Sequence, residues 1–180
     1  MMESEFFTIG HATHPLGEFL GLLLSHDIEA LADVRRFPRS RTNPQFNAET
    51  LEPALQDSGV AYRHFAGLGG RRPHAKDIDA SVNAFWENES FHNYADYALG
   101  PEFAAGLQEL TAFGKARRCC LMCAEALWWR CHRRIIADYL EALGAHVFHI
   151  SSDGRVDRAK LSDAARPARN GTLVYPAPSP

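Results

Sequence analysis

The residues best suited to chemistry lie in one stretch: Cys123, Glu125, Cys131 and His132. A thiol at a strand end that faces a helix N-terminus feels the helix dipole, and here Arg130, Arg133 and Arg134 as well. That setting lowers a thiol pKa and would make Cys123 a nucleophile, with Glu125 or His132 carrying the proton. The competing reading makes Cys119 and Cys123 small core residues on one strand face, with Cys131 starting a helix, because cysteine is often simply buried. Three narrower chemistries fit less well. Cys120 and Cys123 spell C-x-x-C, but within a strand their side chains point to opposite faces and cannot pair. Cys123 and Arg130 look like the ends of a phosphate-cradling phosphatase loop, which needs one residue fewer than the six between them here. Zinc held by Cys123, Cys131, His132 and a distant histidine would lack the close ligand pairs of structural zinc sites. No metal or other cofactor is evident.

Arginines form three clusters: Arg35, Arg36, Arg39 and Arg41; Arg71 and Arg72 behind Gly69 and Gly70; and Arg130, Arg133 and Arg134 around His132. Guanidinium forks suit phosphate or carboxylate, and the amides of a glycine-rich loop or a helix N-terminus add anion affinity. The alternative is that these arginines pair with Asp33, Glu125 or Asp153, or face solvent. His11, presented after Gly10 on a tight turn, and His64 are each a general acid or base or a core histidine bonded to backbone. Trp128 and Trp129 either stack on a base or are half core, half lid.

The elements that must position these groups alternate. Phe6–Ile9 reads as a first strand ending at His11, and Ile28–Val34 as a second ending at Asp33, Arg35 and Arg36. Residues 60–64 read as a third strand ending at His64, and Gly67–Pro73 as a flexible loop. Residues 119–124 make a fourth strand ending at Cys123 and Glu125, and 146–150 a fifth ending at His149. Helical patterns fill residues 19–24, 51–59 and 131–143, and 78–113 with breaks near Ser90 and Gly100-Pro101. Strands alternating with helices predict a single three-layer α/β domain, with a mainly parallel sheet of about five strands flanked by helices. The second strand is expected beside the first through a right-handed crossover. Ligands of such folds sit outside the carboxyl ends of the strands, and here every strand ends in polar residues. The domain is expected over residues 1–153, with 154–180 a polar, flexible tail.

Several of these blocks resemble the family catalogued as domain of unknown function 488 (DUF488). They are TIGH at Thr8–His11, DVRRFPRSR at Asp33–Arg41, Phe46, YRHFAGLGGRR at Tyr62–Arg72, LMCAEALWWRCHRRIIADYL at Leu121–Leu140, and His149-Ile150. The resemblance spans about residues 6–150 and implies a compact α/β fold. It implies no reaction.

With 180 residues, 46% of them hydrophobic and a net charge of −3, the chain has ordinary globular composition and no bulk charge for a polyanion. No apolar run approaches a membrane span, and the start lacks the pattern of a signal peptide. Four cysteines confined to residues 119–131 argue for reduced thiols and a cytoplasmic protein. The expected function is an enzyme, a cysteine- or acid/base-dependent hydrolase or transferase, acting on a phosphorylated or nucleotide-like substrate. Its reactive groups would be His11, Asp33, Cys123, Glu125 and His132. Its anion-binding groups would be Arg35, Arg36, His64, Gly69, Gly70, Arg71, Arg72 and Arg133. A small anion or nucleotide is the expected partner rather than polymeric nucleic acid. The alternative is a non-catalytic module that binds nucleic acid or a nucleotide with the same arginines.

Overall fold

The structure is a computed structural model and describes residues 3–180. In chain order its core elements are β1 (Glu5–Gly10), α1 (Leu16–Ser25), β2 (Ala30–Asp33), α2 (Ala48–Asp57), β3 (Ala61–His64), α3 (Glu89–Tyr97), α4 (Pro101–Gly114), β4 (Cys119–Cys123), α5 (Arg133–Ala142) and β5 (His146–Ile150). Short strands β6 (Val156–Arg158), β7 (Arg166–Pro167) and β8 (Leu173–Val174) follow. One sheet runs β3-β2-β4-β1-β5-β6, parallel throughout except for antiparallel β6. The chain is therefore a single α/β domain with a mainly parallel sheet, as its alternating pattern predicts.

Side-chain alternation on the buried strands explains the two helical layers. Phe7, Ile9, Leu31, Cys120 and Met122 face one side and pack with Phe19 and Leu23 of α1 and Leu51 and Leu55 of α2. Phe6, Ala30, Ala32, Cys119, Leu121 and Cys123 face the other, toward Tyr94 of α3, Phe103 and Leu110 of α4, and Ile135 and Ile136 of α5. Handedness assigns the layers. From β1 through β3 the chain steps one way across the sheet, and from β3 through β5 it steps back. Right-handed crossovers then put α1 and α2 on one face and α3–α5 on the other.

Three expectations are corrected. β2 does not pair with β1, because β4 lies between them and pairs with both. Strand order is set by which apolar faces fit together, and neighbours in sequence need not be neighbours in the sheet. Residues 78–88 are turns, not helix, because Asn88 caps α3 by accepting hydrogen bonds from the Ser90 and Phe91 amides. The stretch after Asp153 is not a free tail as far as Tyr175. β6 extends the edge of β5, and Tyr175 is fully buried, its hydroxyl donating to Asp138 at 2.9 Å and its amide to the Asn83 side chain at 2.9 Å. A few anchors of this kind hold a segment whose average composition is polar.

Candidate active site

The carboxyl ends of β1, β2 and β4 meet where the strand order reverses, the place where open α/β sheets form a crevice. A cleft of about 540 Å³ opens there. Arg35, Arg36, Arg39, Arg71 and Arg130 line it, with Glu125 the one acidic residue among its lining. Cys123, Cys131, His132 and Tyr94 also border it.

Arg35 belongs to a closed knot. Asp33 is fully buried and accepts from Arg35 Nε at 2.9 Å, from Arg35 Nη2 at 2.7 Å and from the Tyr62 hydroxyl at 2.6 Å. Arg35 Nη2 also donates to the Phe46 carbonyl at 2.8 Å. His11 stacks on Phe46, donates from Nδ1 to the Ala12 carbonyl at 2.9 Å, and turns Nε2 toward Arg35 Nη1 at 3.5 Å. Burial, with the Arg35 charge adding to it, pushes the His11 pKa down to about 4 against the opposing Ala12 hydrogen bond. His11 is thus a neutral ring. Neither His11 nor Asp33 borders the cleft, and both act on it through Arg35. His64 likewise lies behind Arg35, donating from Nε2 to its carbonyl at 2.7 Å.

The thiol end is built from β4 and the start of α5. Cys123 and Cys131 bring their sulfurs to 2.7 Å. The Arg133 amide donates to Cys131 Sγ at 3.4 Å, and His132 Nδ1 lies 3.5 Å from the same sulfur. His132 Nε2 carries a hydrogen, since it faces the Val34 carbonyl at 2.7 Å. Burial pushes the Cys123 thiol well up, and its hydrogen bond to Cys131 keeps the proton on it. Burial opposes ionisation of Cys131 too, but the bond from Cys123 and the neighbouring His132 and Arg133 outweigh it and hold that thiol well below its ordinary value. Of the two thiols in contact, Cys131 is therefore the one whose surroundings favour the anion. Cys119, with burial alone acting, is pushed up to about 12.

Arg133 is fully buried, donating from Nη1 to Thr8 Oγ1 at 3.0 Å and from Nη2 to the Glu125 carbonyl at 2.6 Å, while its Nε has no partner. Among the described residues no carboxylate pairs with it. Thr8, having accepted from Arg133, passes its own hydrogen to His149 Nδ1 at 2.6 Å. Burial, then the Arg133 charge, push the His149 pKa down to about 3. Trp128 stacks on that ring at 4.3 Å.

Glycines permit this assembly where backbones touch. A Cβ on Gly10 would lie 1.8 Å from the Glu125 carbonyl oxygen, and one on Gly69 would lie 2.4 Å from Arg36 Cα. Gly70 lies against the His132 ring. The expected flexible loop is therefore packed at Leu68, Gly69 and Gly70, where side chains and backbone are buried. Arg72 leaves the cleft to clip this loop, donating to the Gly69 and Ala66 carbonyls at 3.0 and 2.6 Å and lying over Tyr97 at 4.0 Å.

Of the expected site residues, Cys123, Glu125, His132, Arg35, Arg36, Gly70 and Arg71 border the cleft. His11, Asp33, His64, Gly69, Arg72 and Arg133 stand behind it. Cys131 and Arg130 line it too; the sequence places both in the chemical clusters without giving either a role, although the place of Cys131 two residues ahead of a helix is a readable sign of an activated thiol. Among the described residues no group of three or more histidine, cysteine or acidic side chains is placed to hold a metal. Nor is any helix long and apolar enough to cross a membrane.

The family model for a domain of unknown function, DUF488, matches residues 15–140. The chain belongs to the DUF488 family. The DUF488 match contains the Asp33–Arg35 knot and both thiols, while His11 on β1 and His149 on β5 fall outside it. No curated protein and no solved structure matches the chain.

Proposed function

We propose that this DUF488 protein is a cysteine-dependent hydrolase or transferase acting on a small phosphorylated or nucleotide-like substrate. The observation that carries the reading is the Cys131 sulfur, which accepts from the Arg133 amide at the start of α5 at 3.4 Å and borders a cleft lined by five arginines. Arg35, fixed by Asp33, is the rigid binding group, since a guanidinium held on two edges loses little freedom when it meets an anion. Arg36, Arg71 and Arg130 are exposed at the cleft and close on the ligand. Cys131 supplies the nucleophile, in place of Cys123, whose hydrogen bond favours the Cys131 anion. His132 Nδ1 and Glu125 are the groups within the cleft able to move a proton.

A second reading, a non-catalytic module for a nucleotide or nucleic acid, is favoured by Phe37. Its ring is 69% exposed at the cleft, with the Arg36 guanidinium 5.5 Å from it, which suits stacking on a base.

A thermal-shift panel of inorganic phosphate, sugar phosphates, nucleoside monophosphates and short DNA and RNA, each at low and high salt, tests both. A ligand at ~100 times its Kd adds about 2.7 kcal/mol. The enzyme reading expects a shift from a small phosphate compound that weakens in Arg130→Gln, with binding kept and turnover lost in Cys131→Ser. A shift from nucleic acid alone, erased by salt as counterion release demands, would select the module. No shift from any phosphate-bearing compound would sink both.

A further inference from the structure

The four cysteines are not equivalent. Cys119 and Cys120 have no exposed surface, whereas Cys123 and Cys131 reach the cleft at 3% and 6% exposure. The two that reach solvent are also the two whose sulfurs touch, at 2.7 Å. A pair of core thiols would have no reason to sit beside a buried guanidinium. This pair has Arg133 against it, with its amide on Cys131 and no carboxylate to balance its charge. An anionic sulfur with a neutral thiol in contact is the arrangement in which oxidation at the first is resolved by the second.

We propose that Cys131 and Cys123 form a peroxide-sensitive dithiol, Cys131 being the thiol oxidised and Cys123 the one that resolves it. The Cys131 thiolate attacks one oxygen of hydrogen peroxide. An S–O bond forms, the O–O bond breaks, and the second oxygen leaves as hydroxide, which takes a proton from solvent to become water. Cys131 is then a sulfenic acid, oxidised by two electrons as the peroxide is reduced. The Cys123 sulfur attacks Cys131 Sγ, the S–S bond forms, the S–O bond breaks, and the departing hydroxide leaves with the Cys123 proton as a second water. Two thiols and one peroxide give one disulfide and two waters. The product strips Arg133 of its anionic neighbour, which favours the reduced pair and makes the bond readily reversible by thiols. It also removes the nucleophile, so oxidation would switch the cleft off. The inference rests on the Cys131 thiolate of the proposed function and on nothing about the substrate.

The full chain is treated with a small molar excess of hydrogen peroxide, blocked with iodoacetamide and digested with trypsin. Cleavage after Arg118, Arg130 and Arg133 puts Cys123 in peptide 119–130 and Cys131 in peptide 131–133, so only a disulfide can join them. The expected product is that joined pair, located at Cys123 by fragmentation and separated by dithiothreitol. In Cys123→Ser, which a melting curve shows to be folded, the expected product is a Cys131 sulfenic acid captured by dimedone. Unjoined peptides from the wild-type chain overturn the inference. Alkylation of Cys131 by iodoacetamide at pH 6, compared between the folded and the urea-unfolded chain, separates the failures. Faster alkylation when folded, without a joined peptide, overturns the dithiol and leaves the proposed enzyme standing. Slower alkylation without a joined peptide overturns both.

Discussion

Arg35 and Arg133 flank the same cleft, both nearly or fully buried, yet their charges are balanced by different chemistry. Arg35 has a carboxylate, Asp33, on two of its nitrogens. Arg133 has a hydroxyl, a carbonyl and a pair of thiols. A neutral histidine accompanies each: His11 turned toward Arg35, and His149 reached from Arg133 through Thr8. A guanidinium already matched by a permanent anion is a fixed fixture, whose remaining N–H groups are available to a ligand. A guanidinium without one favours a nearby anion, and at Cys131 the Arg133 charge adds to the hydrogen bond from Cys123 and the neighbouring His132. One end of the cleft is thereby organised to hold charge and the other to create it.

The largest effect is expected from Asp33→Asn. Removing the carboxylate strands a buried cation, which costs ~3–5 kcal/mol, read as a lower midpoint in urea. The remaining folded protein should alkylate at Cys131 at the wild-type rate, because Asp33 does not touch the thiols. Arg133→Met should cost less, about 1–3 kcal/mol, since hydrogen bonds are lost but no carboxylate is left unpaired. It should also raise the Cys131 pKa, by removing the Arg133 charge while the Cys123 hydrogen bond and His132 remain, and slow alkylation at neutral pH. If Arg133→Met left that rate unchanged, the contrast between the two arginines would collapse.

Acid sharpens the comparison between the two histidines. Both are held neutral when folded, at about 4 for His11 and about 3 for His149, against 6.5 for an unperturbed ring. Below 6.5 the unfolded chain binds protons that the folded chain refuses, so stability is lost as pH falls, until the folded rings titrate. Each ring contributes a slope of up to ~1.4 kcal/mol per pH unit in that window. Urea midpoints between pH 7 and 4.5 should fall less steeply in His11→Gln and in His149→Gln, and a slope unchanged in either variant would contradict its neutral assignment. The smallest effect is expected at the rim. Arg39→Gln breaks only an exposed 3.0 Å pair with Glu49 and should change stability by less than ~0.5 kcal/mol, while weakening phosphate binding in the same thermal-shift assay.

Much of the fold was readable because buried parallel strands announce themselves as short apolar runs, and CCLMC and HVFHI do so plainly. The start of α3 was misread because the aromatic residues of 85–91 resemble a helix pattern, and the Asn88 cap that stops it is a single side chain. The fold-back after Asp153 was hidden because its buried residues, Ala159, Ala165, Leu173 and Tyr175, are few and scattered among exposed ones, and the Tyr175 hydroxyl finds its partner in Asp138, 37 residues earlier. Within the site, the clustering of polar groups at strand ends was visible. Which of them touch the cleft was not, and His11 and Asp33 proved to be supports for Arg35.

The sequence by itself made an Asp33–Arg35 pair available, for a local reason: residues two apart at a strand end fall on the same side of the backbone; the pairing stood there as the alternative to an anion-binding Arg35, and the Tyr62 hydroxyl and Phe46 carbonyl that close the knot come from other elements. It also determined that Cys120 and Cys123 cannot meet, by the same alternation. Only the tertiary structure decided that Cys123 meets Cys131 and that Arg133 has a threonine 125 residues away and no carboxylate. Those contacts depend on how α5 docks against β4 and β1, which is fixed by the packing of whole faces and not by any spacing along the chain.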